Sequence, residues 1–250
     1  MPTVSELIVA PVKGLRVASV DEVELRANGV AGDRAYLVVD ARTHELLLTT
    51  RAPRLAQVRA HVAGDTLTLS FPDGSEVAEA AVPGEPVRTA TYDGREVRGR
   101  LVGGALAAAL SEHMGRELAL LAREPGEQGA DDAPVTLMST ASLAALAPAL
   151  GGATPDGRRF RMNLTVDGLH AWEEHGWAGR ELAAGEARLR VIDPVPRCAV
   201  TTRDPDDGHR DLPTLKALAQ LRGKRDVTFG IWCDVVAPGR VRVGDELTLD

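Results

Sequence analysis

The stretch AQVRAHVAGDTLTLSF, residues 56–71, decides the fold class of the amino-terminal part of the chain. It contains two short runs, residues 56–63 and 66–71, joined by Gly64-Asp65, which is the signal of a β-hairpin. Further short runs precede it, with Gly and Pro between them, at residues 4–13, 16–26, 36–40 and 45–50. This spacing predicts a small all-β unit over roughly the first 95 residues.

Helical patterns begin after this unit. Residues 103–114 and 213–221 are predicted helices, and a third is predicted for residues 141–150, with Ser139-Thr140 before it and Gly151 after it. Polar residues 124–133 predict a mobile loop. Strands are predicted at residues 118–122, 161–166, 186–192, 229–236 and 241–249. The predicted fold class is mainly β with a few helices (α+β), in two domains, residues 1–95 and 96–250.

Composition excludes several classes of function. The formal net charge of −7 provides no basic excess for a general nucleic-acid binder, and 3% aromatic residues provide few stacking surfaces for bases. No apolar run approaches the roughly 20 residues that span a bilayer, so no membrane span is expected. No secretory signal peptide is recognisable at the start. Two cysteines make no disulfide framework, which favours the cytoplasm.

One of those cysteines lies in PVPRCAVTT, residues 194–202. Arg197 precedes Cys198 directly, and an adjacent cation favours the thiolate, which is the form that attacks or binds a metal. Two prolines, Pro194 and Pro196, predict a stiff turn after a strand at residues 189–192. The alternative is a buried, inert cysteine beside a surface arginine.

Other segments supply cations and hydrogen-bond donors. Lys13-Gly14 lies at a strand-end turn, and Arg34 precedes a predicted strand. Ser139-Thr140 marks a predicted helix N-terminus, which suits an anion. Arg161 and Asn163 are predicted on one face of a strand. Each has a plainer interpretation as a solvated surface cation or a helix cap. No zinc, phosphate-loop or dinucleotide motif is present.

The order of these motifs resembles the MOSC family, named for the C-terminal domain of molybdenum cofactor sulfurase. The resemblance is to its two-part members, which include amidoxime-reducing proteins. The matching segments run from one end of the chain to the other: residues 10–14, 32–40, 51–55, 137–143, 161–164, 172–179, 197–205, 229–230 and 243–245. Gly14 stands where the family commonly has Ser, and Ala10 where it has Tyr.

The resemblance implies an N-terminal β-barrel-like domain packed on a MOSC β-barrel domain, and a molybdenum cofactor built on molybdopterin. It implies that Cys198 is the metal ligand and the catalytic residue. The implied cofactor-binding residues are Lys13, Gly14, Arg34, Ser139, Thr140, Arg161, Asn163 and Arg197. The residue chemistry agrees, because cations suit the phosphate of the cofactor and a soft thiolate suits a thiol-ligated metal.

The implied activity is reduction of N-hydroxylated compounds, of amidoxime or hydroxylamine type. No flavin, haem or iron–sulfur motif is visible, so the electrons are expected from a separate protein of ferredoxin, flavoprotein or cytochrome b5 type. A different class is also open: a carrier of the molybdenum cofactor or of sulfur, with Cys198 as a persulfide and without turnover. A third alternative is a binding module that has lost activity.

Overall fold

The computed structural model describes residues 1–91, 94–129, 132–224 and 226–250. Residues 130 and 131 of the predicted loop at residues 124–133 therefore lie outside the described part. The strands are β1 Thr3–Val9, β2 Val12–Lys13, β3 Ala18–Val20, β4 Glu22–Arg26, β5 Gly29–Val30, β6 Tyr36–Asp40, β7 Arg59–Ala63, β8 Thr66–Ser70, β9 Glu76–Ala80, β10 Pro86–Ala90, β11 Glu96–Val102, β12 Leu118–Arg123, β13 Val135–Ser139, β14 Leu164–Asp167, β15 Glu181–Ala184, β16 Ala187–Pro196, β17 Thr228–Ala237, β18 Gly239–Arg242 and β19 Leu247–Leu249. The helices are α1 Gly104–Met114, α2 Thr140–Ala144 and α3 Thr214–Arg222.

The largest sheet has eight strands in the order β19-β15-β16-β17-β13-β14-β1-β3. Its pairs are antiparallel except β13 and β14, which run parallel with Leu137 opposite Leu164. The first strand of the chain belongs to this sheet, because β1 pairs with β14 through Leu7 and Leu164. The division predicted near residue 95 stays a prediction, and the polypeptide enters this sheet on both sides of that position.

A second sheet has five strands in the order β10-β11-β12-β6-β2. Helix α1 and the meander β7-β8-β9 cover a separate apolar core beside it, which includes Leu55, Leu67, Leu69, Leu106 and Leu120. Strands β4, β5 and β18 form a third, small sheet. The predicted α+β class with mostly β structure is confirmed. No helix among the described residues has the length and apolar character needed to cross a bilayer.

Several predicted elements are confirmed. The predicted hairpin of residues 56–71 is the pair β7 and β8, which turns at Gly64 with φ +59°. The predicted helices at residues 103–114 and 213–221 correspond to α1 and α3. The N-cap prediction for Ser139 is also confirmed, since its side chain accepts a hydrogen bond from the Ser142 amide.

Two predicted elements have different bounds. The prediction of a strand at residues 45–50 is wrong, because only Leu46 makes a bridge there, to Val39. The single predicted helix at residues 141–150 divides into α2 and a 3-10 turn, Ala147–Leu150. Pro148 lies inside that turn and has no N–H to continue an α-helix, which explains the break.

The two predicted site segments also differ from expectation. The strand predicted from residue 161 begins only at Leu164, and Arg161 is left-handed with φ +54°, so Arg161 and Asn163 do not share a strand face. Pro194 and Pro196 lie within β16 rather than on a turn after it, at positions where its register against β17 shifts. Proline removes a ladder hydrogen bond, so such irregular positions are where a strand tolerates it.

We expect Leu7→Ala to lower the free energy of unfolding by about 2–5 kcal/mol, since Leu7 is fully buried in β1 and truncation leaves a cavity. Urea denaturation measures the difference. Val82→Ala is the control, because Val82 is 72% exposed and its truncation should change stability by less than about 0.5 kcal/mol. Equal effects of the two substitutions would contradict the assignment of β1 to the core of the large sheet.

Candidate functional site

Two of the predicted site arginines meet at turns of unusual backbone conformation. Arg34 has φ +49° and Arg161 has φ +54°. The Arg34 Nη2 donates to the Arg161 carbonyl oxygen at 3.3 Å. The left-handed conformation is uncommon for residues other than glycine, and it persists only where the surrounding structure enforces it. The fold therefore holds two guanidinium-bearing turns against each other.

The carboxylate of Asp33 holds these turns in place. It is 5% exposed and accepts a hydrogen bond from the Ala10 amide at 2.7 Å and from Asn163 Nδ2 at 3.2 Å. It also forms an ion pair with the neighbouring Arg34. A buried carboxylate is stable only when such partners compensate its charge. Asp33 thus joins the end of β1, the start of β14 and the turn before β6.

Asn163 is fully engaged inside the protein. Its Nδ2 donates to the Ile8 carbonyl at 3.3 Å in addition to Asp33. Its Oδ1 accepts from the Thr136 hydroxyl at 3.0 Å and from the Thr136 amide at 3.2 Å. These contacts fill the two donor and two acceptor positions of the amide. Asn163 is placed to orient Asp33 rather than to offer a free group to a ligand.

The Lys13-Gly14 turn lies beside the same arginines. Lys13 ends β2, and the carbonyl of Leu15 accepts a hydrogen bond from Arg161 Nη2 at 2.7 Å. Gly14 has φ +92°, and a Cβ there would lie 3.1 Å from Leu55 Cδ1 and 3.2 Å from Thr49 Oγ1. A serine would be strained in this backbone conformation, which gives a local reason for glycine at this position.

Arg197 places a guanidinium with little solvent next to the thiol. Its Nη2 donates to the Phe160 carbonyl at 2.6 Å, and its Cζ lies 5.4 Å from the centre of the Phe160 ring. Its Nε is buried and has no hydrogen-bond partner. Burial lowers the pKa of Arg197 to about 10; Cys198 opposes this effect and Arg34 adds to it. The side chain is therefore still a cation at neutral pH.

Arg197 forms no ion pair with a carboxylate among the described residues. A buried charge without a counter-charge costs free energy, and a bound anion would remove that cost. Arg34 lies close enough to repel Arg197 electrostatically, so the positive charges concentrate at one place. This arrangement is suited to a multiply charged anion such as a phosphate.

The two cysteines differ in exposure. Cys198 is exposed, whereas Cys233 is buried in β17 and burial raises its pKa well above the ordinary value for a thiol. The interpretation as a buried, inert cysteine therefore describes Cys233 and is excluded for Cys198. The Cys198 backbone is extended and precedes a 3-10 turn, Ala199–Thr202. Cys198 is thus the thiol that solvent, metal or substrate can reach.

Ser139 and Thr140 lie apart from this cluster. In the parallel pair of β13 and β14, Ser139 is opposite Val166. Val166 is three residues beyond Asn163, so Ser139 is displaced from Asn163 by about 10 Å along the strand direction. Ser139 is fully buried, and its hydroxyl lies 3.1 Å from Glu174 Oε2. Thr140 hydrogen-bonds to the Asp167 carboxylate. Among the described residues, neither of these two hydroxyls hydrogen-bonds to an arginine of the cluster.

The N-terminus of α2 is already occupied. The Ser139 amide donates to Glu174 Oε1 at 3.3 Å, and the Ser142 hydroxyl donates to Oε2 at 2.9 Å. Glu174 thus supplies the acidic group that a helix N-terminus favours. The predicted anion site at this helix lies behind that carboxyl group, and the arginine cluster is at the other end of the strand pair.

Sequence reasoning missed three residues of this arrangement. Asp33 directly precedes Arg34 in the sequence and was assigned no role, although a carboxylate beside an arginine is a usable signal. Nothing in the sequence distinguishes Glu174 from its acidic neighbour Glu173. Arg123 donates to the carbonyls of Arg34 at 2.9 Å and Asp33 at 3.3 Å, and nothing in its strand pattern indicated this contact.

The residues fit a cofactor that brings most of its own metal ligands. Among the described residues, no group of three or more His, Cys, Asp or Glu side chains could hold a metal ion. Cys198 can therefore provide one soft ligand, while the remaining ligands have to come with the metal. Arg34, Arg161 and Arg197 can hold an anionic tail of such a cofactor.

We expect Glu174 to make stability fall as pH rises, and Glu174→Gln to remove that fall. Burial raises the pKa of Glu174, against the hydrogen bonds from Ser142 and Ser139 that lower it. The folded chain thus favours the protonated form of Glu174. The stabilisation from that proton is complete below the pKa of the unfolded chain and is lost as pH rises through the raised pKa of the folded chain. Thermal melts of both proteins across that range give the two slopes. Glu173→Gln, at the exposed neighbour, should keep the wild-type slope, and an unchanged slope in Glu174→Gln would contradict the expectation.

Comparison with known proteins identifies the family of the chain. The sequence model of the MOSC N-terminal beta barrel domain matches residues 1–117, and that of the MOSC domain matches residues 125–248. Mitochondrial amidoxime-reducing component 1 of Homo sapiens is 30% identical over 290 aligned positions, which cover 99% of this chain and 82% of that protein.

Two further relatives span most of the chain. Mitochondrial amidoxime reducing component 2 of Bos taurus is 28% identical, with 97% of this chain and 82% of that protein covered. Molybdenum cofactor sulfurase of Caenorhabditis briggsae is 26% identical, with 93% of this chain but 33% of that protein covered. The two domain matches and these relatives show that the chain belongs to the MOSC family.

Proposed function

We propose that this protein is a molybdenum-cofactor-dependent reductase of N-hydroxylated compounds, supplied with electrons by a separate protein. The observation that carries the proposal is the desolvated guanidinium of Arg197, which has no anionic partner among the described residues and lies beside the exposed thiol of Cys198. The relatives named amidoxime-reducing components supply the reaction type.

Each residue has a proposed role. Cys198 is the thiolate ligand of molybdenum and the residue nearest the reaction. Arg34, Arg161 and Arg197 bind the anionic parts of the molybdopterin, and the Lys13-Gly14 turn adds a cation and a backbone N–H. Asn163 contributes by holding Asp33 and, through it, Arg34. Ser139 and Thr140 remain in the proposed set through the family resemblance alone.

The cofactor, when bound, supplies two-electron redox chemistry. In the overall reaction the N–O bond of the substrate breaks, two electrons and two protons are taken up, and the amine-type product and water are released. The protein contributes a thiolate held near Arg197 and charges that orient the cofactor. The exposure of Cys198 leaves this position open to a small N-hydroxylated substrate.

The electron donor is proposed to be a ferredoxin, a flavoprotein or a protein of cytochrome b5 type. The cytoplasmic setting inferred from the two free cysteines belongs to the same proposal. The amidoxime-reducing relatives are mitochondrial by name, which is a statement about those proteins.

A second candidate is a carrier of sulfur or of the molybdenum cofactor. The exposed thiol of Cys198 favours it, because a persulfide has to be reachable by the acceptor. The relative named molybdenum cofactor sulfurase gives this candidate a precedent within the family. In this case Cys198 would hold a sulfane sulfur and would support no turnover of N-hydroxylated compounds.

We expect protein that contains molybdenum to reduce benzamidoxime to benzamidine when dithionite-reduced methyl viologen replaces the unknown donor. Cys198→Ser should lower the rate by at least about 100-fold, because loss of a direct metal ligand should cost more than the roughly 10–100-fold that loss of an outer-shell contact costs. Cys233→Ala is the control, since that buried thiol has no proposed role. Molybdenum-loaded protein without turnover, together with a persulfide on Cys198 in mass spectra, would reject the reductase and support the carrier.

A further inference from the structure

Two buried threonines lie directly behind Cys198. Thr201, in the 3-10 turn after the cysteine, and Thr214, the first residue of α3, are both fully buried. Their hydroxyl oxygens are 2.9 Å apart. The Thr201 hydroxyl also donates to the Cys198 carbonyl at 3.1 Å, and the Thr201 amide donates to the same oxygen at 3.2 Å.

The direction of these hydrogen bonds follows from counting protons. A threonine hydroxyl has one proton to donate and can accept from two partners. The Cys198 carbonyl oxygen can only accept, so we assign the Thr201 proton to it, and Thr214 then donates to the Thr201 oxygen. The result is a chain that runs from α3 through Thr201 to Cys198. Hydrogen bonds in such a buried chain polarise one another and are strengthened.

We propose that Thr201 and Thr214 are positioning residues that fix the backbone of Cys198, so that its exposed thiol stays beside the Arg197 guanidinium. The proposal rests on the proposed function for the role of that thiol. On the other side, the Arg197 amide donates to the Val227 carbonyl at 2.9 Å, so the Arg197-Cys198 pair is held from both directions. The cysteine follows β16, whose register is irregular at its prolines, and the strand ladder alone holds it poorly.

The same turn contains a matched control. The Thr202 hydroxyl donates to the Ala199 carbonyl at 2.7 Å, which is the same three-residue spacing as Thr201 to Cys198. Thr202 is only half-buried, and its bond does not involve the cysteine. Thr202→Val therefore removes an equivalent hydroxyl from the same turn while leaving the Cys198 carbonyl with its partners.

The test is the charge selectivity of thiol alkylation in the full chain purified without cofactor. Iodoacetate is an anion and iodoacetamide is neutral, and both react by the same step: the thiolate forms an S–C bond and iodide leaves. The rate with iodoacetate divided by the rate with iodoacetamide is the charge-selectivity ratio, and it rises when a cation lies close to the thiol. Mass spectrometry assigns the product to Cys198, and buried Cys233 should not react.

We expect the wild-type ratio to exceed that of glutathione. Thr201→Val and Thr214→Val should each lower it by about fivefold, the factor that corresponds to one net hydrogen bond. Thr214→Ser, which keeps the hydroxyl, should restore the wild-type ratio, and Thr202→Val should leave it unchanged. A general loss of structure would alter both rates and would not be rescued in this way.

The proposal is overturned if Thr214→Val folds and keeps the wild-type ratio, or if Thr202→Val lowers it equally. Should Thr214→Val be unfolded at the assay temperature, Thr214→Ala removes the same donor and is measured below its melting temperature. Because no cofactor is present, the ratio is independent of molybdenum binding. Failure of the reductase proposal would appear in the molybdenum and turnover measurements and would leave the ratio intact.

Discussion

The carboxylate of Asp33 is the contact on which the candidate site depends. It binds the Ala10 amide after β1, the Asn163 amide before β14 and the guanidinium of Arg34, which leads into the five-stranded sheet. Since β1 and β14 belong to the eight-stranded sheet, one buried charge joins the two sheets at the site. Because a carboxylate that is 5% exposed is stable only when hydrogen bonds and an ion pair compensate its charge, Asp33 keeps its three partners close to one another.

The charge balance around Asp33 explains why the site is suited to an anion. Asp33 pairs with Arg34, whereas Arg197 lies nearby with a buried Nε and no partner for that atom. Two other arginines are paired with carboxylates inside the protein: Arg158 with Asp156 and Asp206, and Arg159 with Asp211. An uncompensated charge therefore lies beside the exposed cysteine, and we propose that the anionic part of a cofactor binds there.

The sequence predicted the β-rich class, the hairpin at residues 56–71 and the two longer helices, because alternating runs and turn residues are local signals. Local motifs and family resemblance also pointed to Arg34, Arg161, Arg197 and Cys198; their proximity is seen in the structure, and their function as a site stays a prediction. Sequence reasoning failed where a tertiary contact decides the conformation. Arg161 lies in a run typical of a strand, yet it adopts a left-handed turn that Arg34 and Leu15 hold in place.

The burial of polar side chains could not be predicted from the sequence either. Ser139 was predicted as a helix cap, which is a local property, but its enclosure by Glu174 depends on a segment 35 residues away. Arg123 supports the Arg34 turn from the end of β12, a contact across 89 residues. Such partners are set by how the sheets pack, and periodicity within one segment carries no record of them.

The most direct test of the account is the molybdenum and pterin content of protein from a molybdate-supplied host, compared between wild type and Arg197→Leu. The account predicts stoichiometric metal and pterin in the wild type and loss of both from the folded variant, with Arg98→Leu, at an exposed arginine paired with Glu127, unchanged. Wild-type protein without molybdenum or pterin, or an Arg197→Leu variant that keeps both in full, would contradict the claim that this uncompensated charge holds the cofactor.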